Sequence, residues 1–167
     1  MDEAEFDAFY TASFRRVVGQ VTAMIGNRDE AQECVQEAFA RAWSHRHQLS
    51  EAHSYEAWVR TTAYRLAVSR WRRERLAHRK PDRALQVPRQ QAGPDESRVA
   101  LMAALQRLPE DQRRALVLHH LCDLPVREVA IEVGVPEGTI KARLSRGRTA
   151  LLGMLGDLPV GTRAGHG

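Results

Sequence analysis

The side chains of this 167-residue chain that are best placed to do chemistry are cations arranged to meet anions, not a nucleophile with its base. The stretch Val126-Arg127-Glu128-Val129-Ala130-Ile131-Glu132-Val133-Gly134-Val135-Pro136-Glu137-Gly138-Thr139-Ile140 leads into a segment carrying Lys141, Arg143, Ser145, Arg146 and Arg148. On one helix face, such donors suit the base edges of a DNA major groove, with basic flanks resting on phosphate. Glu137, Gly138, Thr139 and Lys141 stand at the start of that segment, where base edges are usually read. A second cationic set precedes it. Residues 60–90 carry ten basic and two acidic side chains, whereas residues 1–59 carry ten acidic and five basic ones. The net charge of +4 hides this segregation. A basic band of that density attracts phosphate through counterion release, and a solvated arginine-rich helix is the alternative reading. Lys80 and Lys141 are the only lysines, so nearly all the cations are arginines, whose planar fork suits bidentate contacts to guanine and phosphate.

Other chemistry is poorly supported. His119-His120 near Cys122 matches no usual zinc spacing, and adjacent histidines point to different faces of a helix. His45, His47 and His53 suit a surface loop. No glycine-rich phosphate loop precedes a lysine, so no metal, cofactor or enzymatic activity is expected. Cys34 and Cys122 lie far apart without CxxC partners, and reduced thiols are expected, Cys34 filling a leucine-sized core position. Apolar runs are far shorter than the ~20 residues of a membrane span, and the acidic N-terminus Met1-Asp2-Glu3-Ala4-Glu5 lacks the pattern of a secretory signal. No membrane insertion and a cytoplasmic location are expected.

The elements that must position these residues are all helical. Phe6, Phe9, Tyr10, Phe14, Val17, Val18 and Val21 recur at three- and four-residue steps, giving a first helix that a turn at Gly26-Asn27-Arg28 ends. Asp29 is expected to cap a second helix with Ala31, Val35, Ala38, Phe39, Ala42 and Trp43 inward. A third runs from about Ser54 to Arg79, apolar through Trp58, Val59, Ala63, Leu66 and Ala67 before turning almost wholly basic. Pro81, Pro88, Gly93 and Pro94 break the pattern and mark a linker. Asp95 is then expected to cap a helix with Val99, Met102, Leu105 and Leu108 inward, and Pro109-Glu110-Asp111 to open another with Ala115, Leu116, Leu118 and Leu121 on its core side. Within the stretch quoted above, Ala130 lets two helices cross closely, Gly134 takes the left-handed turn and Ile140 plugs the joint, the spacing of a helix-turn-helix. Length and apolar content (43%) fit two small all-α domains, 1–79 and 95–155, with a linker at 80–94 and a disordered tail at 156–167.

Asp29-Glu30-Ala31-Gln32-Glu33-Cys34-Val35-Gln36-Glu37-Ala38-Phe39-Ala40-Arg41-Ala42-Trp43 resembles the conserved helix of the extracytoplasmic function (ECF) sigma factors, group 4 of the sigma-70 type, whose Val-Gln-Glu-x-Phe-x-Arg-x-Trp core it reproduces. Tyr55 to Arg73 looks like the promoter-melting segment that follows in that family. Leu108-Pro109, Gly134-Val135-Pro136 and Gly138-Thr139-Ile140-Lys141-Ala142-Arg143-Leu144 are similar to its upstream-element reader. The resemblance covers about residues 5–153 in order.

It implies that Glu33, Gln36, Glu37 and Arg41 dock on the clamp helices of the largest subunit of core RNA polymerase, with the second domain near its flap. It implies that Tyr55, Trp58, Arg60, Thr61, Tyr64, Arg65, Ser69, Arg72 and Arg73 meet the minus-ten element. There a base must leave the stack, and the loop His47 to Ser54 would rim its pocket. Trp58 suits a core position, while Tyr64 and Trp71 are open between stacking and packing. Glu137, Gly138, Thr139, Lys141, Arg143, Ser145, Arg146 and Arg148 would meet the minus-35 element. Promoter DNA, core polymerase and an anti-sigma factor are the implied partners.

Arg65 stands where the family commonly has Asn, and Ser69 where it commonly has Asp, so the downstream base preference is not transferable. The alternative reading is a stand-alone helix-turn-helix transcriptional regulator, whose first domain would sense a ligand or dimerise and which would bind duplex operators without polymerase, usually as a dimer on a palindrome.

Overall fold

The computed structural model describes residues 1–49, 52–78 and 96–156, with the side chains of residues 52–54 and 78 left aside. The expected linker 80–94, the tail from residue 157, Lys80 and the Asp95 cap lie outside the described residues, as do residues 50–51 of the loop expected to rim the base pocket. Among the described residues every element is helical, and they fall into two compact units, Met1–Arg89 and Gln90–Gly167.

The first unit contains α1 (Glu3–Ile25), α2 (Arg28–Ser44), a 3-10 turn (Arg46–Gln48) and α3 (Ala52–His78). Asp2 and Glu5 start α1 reciprocally: the Asp2 side chain accepts from the Glu5 N–H and the Glu5 side chain from the Asp2 N–H, each at 2.8 Å. Gly26 ends it at φ 80°, donating its N–H to the Thr22 carbonyl. That left-handed step leaves Asn27 extended, so Asn27 rather than the expected Asp29 caps α2, accepting from the Glu30 N–H at 3.0 Å. Asp29 instead lies in the first turn, where a carboxylate complements the helix dipole.

The three helices bury Val17, Val21 and Met24 of α1 against Ala31, Cys34, Val35, Ala38 and Phe39 of α2 and Val59, Ala63 and Ala67 of α3. The Phe39 ring lies 4.9 Å from Tyr10 and 5.5 Å from Phe9, with Phe6 edge-on at 6.3 Å. Phe39 is thus the hub of the aromatic end of this core, in the offset geometry that ring quadrupoles favour.

The second unit contains α4 (Glu96–Gln106), α5 (Glu110–Leu116), a π turn (Val117–Leu121), α6 (Val126–Val133) and α7 (Glu137–Gly156). Leu105, Leu108, Ala115, Leu116, Val117, Leu118, Val129, Ile140 and Leu144 form its core. Arg113 donates to the Gln106 and Leu108 carbonyls at 3.3 and 3.1 Å, closing the α4–α5 corner. Leu121 departs from expectation: it is 42% exposed. The π turn explains it, because the Cys122 N–H reaches back to the Val117 carbonyl and the extra residue rotates Leu121 off the core side. Val99 and Met102 are half-buried rather than fully inward.

Candidate nucleic-acid interface

The helix-turn-helix is built by its backbone. Gly134 adopts φ 84°, ψ 36°, and both Gly134 and Val135 donate their N–H groups to the Ala130 carbonyl, at 2.8 and 3.1 Å. The turn then hands over to α7, where the Pro136 carbonyl accepts from Thr139 at 3.0 Å and Ile140 at 3.3 Å. Buried Ile140, Leu144 and Gly147 define the inner face of α7. Its outward surface is formed by Glu137, Gly138, Lys141, Ser145, Arg146 and Arg148, all exposed, with Thr139 and Arg143 half-buried at its edges. Arg148 donates to the His120 ring at 3.3 Å, and Arg143 meets Asp111 of α5 at 3.5 Å. The α7 residues singled out in the sequence therefore all lie off the buried stripe of one helix.

On α3 the set divides. Arg65, Ser69, Arg72, Arg73 and Arg75 are exposed, and Trp58, Thr61, Arg70 and Trp71 are half-buried. The Arg75 guanidinium lies 4.7 Å over the Trp71 ring. Tyr55, Arg60 and Tyr64 are buried in the unit rather than presented outward, at 2%, 3% and 5% exposure. Tyr55 donates its hydroxyl to the Arg46 carbonyl, tying α3 to the 3-10 turn. Arg60 donates to Gln20 at 3.2 Å and lies 3.8 Å from Glu56, which itself holds Arg16 at 2.6 Å. The cause is phase: 55, 59, 60, 63, 64 and 67 share the inward stripe of α3. Trp58 faces His45, ring centroids 5.5 Å apart.

On α2, Glu33, Gln36 and Arg41 are exposed and Glu37 half-buried, opposite the core-facing Cys34 and Val35. Glu37 pairs with Arg41 one turn on at 3.4 Å. Cys34 is fully buried, and burial raises its thiol above the ordinary range, so it behaves as a core side chain. At the end of the helix, Arg46 stacks 3.7 Å over the Trp43 ring and donates to its carbonyl, an arrangement that sequence spacing does not announce. Among the described residues no group of three or more metal-ligating side chains comes together, and no helix is long and apolar enough to cross a membrane.

Comparison with known proteins gives both units a family. Residues 9–77 match the Sigma-70 region 2 family, and residues 98–151 match Sigma-70, region 4. The ECF RNA polymerase sigma factor RpoE of Cereibacter sphaeroides is 30% identical over 86% of this chain and 82% of its own length. The chain belongs to the ECF RNA polymerase sigma factors. The ECF sigma factor SigW of Bacillus subtilis is 28% identical over 81% of this chain and 80% of its own. Among solved structures, the sigma factor RpoE of Bartonella quintana, in complex with the anti-sigma factor NepR, shares the fold with a TM-score of 0.80 at 24% identity, covering 92% of this chain and 98% of that one. The sigma factor described here is all-α, and its function is that of the family: it gives RNA polymerase its promoter specificity at initiation. With the region 2 match over residues 9–77, a stand-alone helix-turn-helix regulator is not favoured.

Proposed function

We propose that the three exposed surfaces divide the work of initiation. Glu33, Gln36, Glu37 and Arg41 on α2 dock on the clamp helices of the largest polymerase subunit, where complementary charge sets orientation and association rate. The basic outer face of α3, with Arg65, Ser69, Arg72 and Arg73 exposed and Trp58 and Thr61 at its margin, receives the minus-ten element as it opens. Arginines on that face neutralise the backbone of the separated strand, and Trp71 offers a ring for stacking. The α7 surface from Glu137 to Arg148 enters the major groove of the minus-35 element, with the second unit near the polymerase flap. The domain boundaries 1–79 and 95–155 follow that division.

The sigma factor carries no catalytic group in this scheme; the polymerase does the chemistry. It acts in the cytoplasm, and an anti-sigma protein, the kind of partner found in the Bartonella complex, restrains it in this scheme by covering these surfaces. The observation that carries the reading is the sorting of exposed charge: a carboxylate-bearing face on α2, and arginine faces on α3 and α7. The test is pull-down of purified core polymerase followed by run-off transcription on genomic fragments. Binding with new, discrete start sites supports the reading. Absence of binding, with duplex operator bound by the protein alone, refutes it. Arg143→Ala in the reconstituted holoenzyme weakens upstream-element recognition by about 1–3 kcal/mol when it reads a base, and a loss independent of sequence reassigns it to phosphate.

A further inference from the structure

We propose that Asp111, outside the helix-turn-helix, is a specificity-determining positioning residue that aims Arg143 at a base edge and away from phosphate. The inference rests on the reading of α7 as the upstream-element helix.

Lys141, Arg146 and Arg148 on α7 are exposed, whereas the Arg143 side chain is only 22% exposed and its Nε lies 3.5 Å from the Asp111 Oδ2. A carboxylate held at Nε restricts the guanidinium to fewer orientations while leaving its terminal N–H groups able to donate. Those terminal donors are what a bidentate contact to guanine O6 and N7 requires. The same carboxylate offsets the local positive charge and repels a phosphate that approaches this arginine. Its neighbours on α7 have no such carboxylate partner among the described residues, which leaves them suited to the backbone and Arg143 to the base.

The packing brings the pair together. A Cβ at Gly147 would lie 2.9 Å from the Leu116 Cδ1 and 3.5 Å from the Gln112 Cβ, so glycine there permits the close approach of α5 to α7. Arg143 sits one turn before Gly147, and Asp111 is the chain neighbour of Gln112. The close crossing at Gly147 therefore sets the separation of Asp111 and Arg143 on the adjacent turn. Asp111 lies in the first turn of α5, where the helix dipole favours its charge.

The test uses holoenzyme reconstituted from core polymerase and the full chain, with a promoter found by run-off transcription. Run-off yield is measured on a panel carrying each single base-pair change across the upstream element. Arg143→Ala is expected to lose discrimination at one base pair. Asp111→Ala is expected to lose at least about fivefold discrimination at that same pair and at no other, as loss of a bidentate base contact predicts. The double variant should be no worse than Arg143→Ala alone, and Asp111→Glu should restore part of the discrimination. Asp111→Asn, which keeps the shape and removes the charge, should behave as Asp111→Ala and guards against a packing artefact. If Arg143→Ala affects one pair while Asp111→Ala affects none, loses evenly across the panel, or adds to Arg143→Ala, the positioning role is overturned. If Arg143→Ala itself changes no pair, the base-reading assignment of Arg143 falls and the proposal falls with it.

Discussion

Glu33 of α2 and Arg70 of α3 meet at 3.4 Å, so a carboxylate on the proposed docking face already pairs with an arginine of the basic helix. Glu33 is open to water and Arg70 half-buried, and a surface pair of this kind contributes only about 0.2–1 kcal/mol, screened further by salt. Glu33→Gln is therefore expected to leave the unfolding midpoint in urea almost unchanged while weakening capture of core polymerase. A stability loss above about 2 kcal/mol would show that Glu33 acts as a structural strut instead.

Glu37 tests the same face more severely. Its carboxylate is half-buried and reaches Arg41 at 3.4 Å, so Glu37→Lys replaces an attraction within α2 by a repulsion and inverts the charge offered to the polymerase. Helical circular dichroism is expected to be retained and core pull-down abolished. Retained binding at wild-type affinity removes the docking assignment.

Arg60 and Arg65 lie five residues apart on α3 and should respond in opposite ways. Arg60→Ala strips a buried guanidinium from Gln20 and Glu56, and it should destabilise the first unit by about 3 kcal/mol, since breaking a buried polar pair leaves its partners unmatched. Arg65→Ala, at an exposed position, should stay within about 0.5 kcal/mol of wild type yet reduce strand opening. Urea unfolding and permanganate footprinting of the minus-ten region separate the two. Equal stability of both variants would contradict the framework role of Arg60.

Helix periodicity made much of this architecture legible: the inward sets of α1 and α2, the Ala130–Gly134–Ile140 joint and the exposed arginines of α7 all follow from spacing on one helix. Spacing failed where phase or distance in sequence decided the outcome. Along α3, aromatic and basic residues alternate so densely that Tyr55 and Arg60 read as surface and Tyr64 stays open between stacking and packing, and only the packed fold shows all three inward. The π turn at Val117–Leu121 was invisible because one inserted residue leaves no compositional mark, yet it turns Leu121 outward. The Asp111–Arg143 pair joins residues on different helices, a relation that a single sequence does not encode locally.

His120 ties that same π turn to α7 through Arg148. Burial first, then the charges of His119 and Arg148, lower its pKa below the ordinary 6.5. The folded state therefore binds this proton less readily than the unfolded chain does. Its stabilising contribution is complete above pH 6.5 and is lost as pH falls from there through the lowered folded value. Protonation also removes the acceptor that takes the Arg148 hydrogen bond at 3.3 Å. Calorimetry should show the second unit melting lower at pH 5.5 than at pH 7.5, with part of that difference absent in His120→Gln. An identical pH response in both proteins would assign the effect to other groups.

Gly147 and Gly153 stand on the same helix, and alanine should act on them with opposite signs. At Gly153 a Cβ meets nothing within 4 Å, so Gly153→Ala should gain about 0.4–1 kcal/mol by reducing the freedom of the unfolded chain. At Gly147 the same backbone gain opposes an overlap with Leu116 at 2.9 Å, and Leu116 is buried in the core with little room to yield. Overpacking costs about 1–3 kcal/mol, so Gly147→Ala should be net destabilising despite the better helix former. With Leu116 held in place by the core, relief of the overlap moves α5 away from α7, which also draws Asp111 from Arg143. The variant should therefore lose upstream-element discrimination in reconstituted holoenzyme as well as stability in urea, while Gly153→Ala loses neither. Stabilisation by both alanines would mean that Leu116 repacks freely and that the close α5–α7 crossing is not what holds the pair.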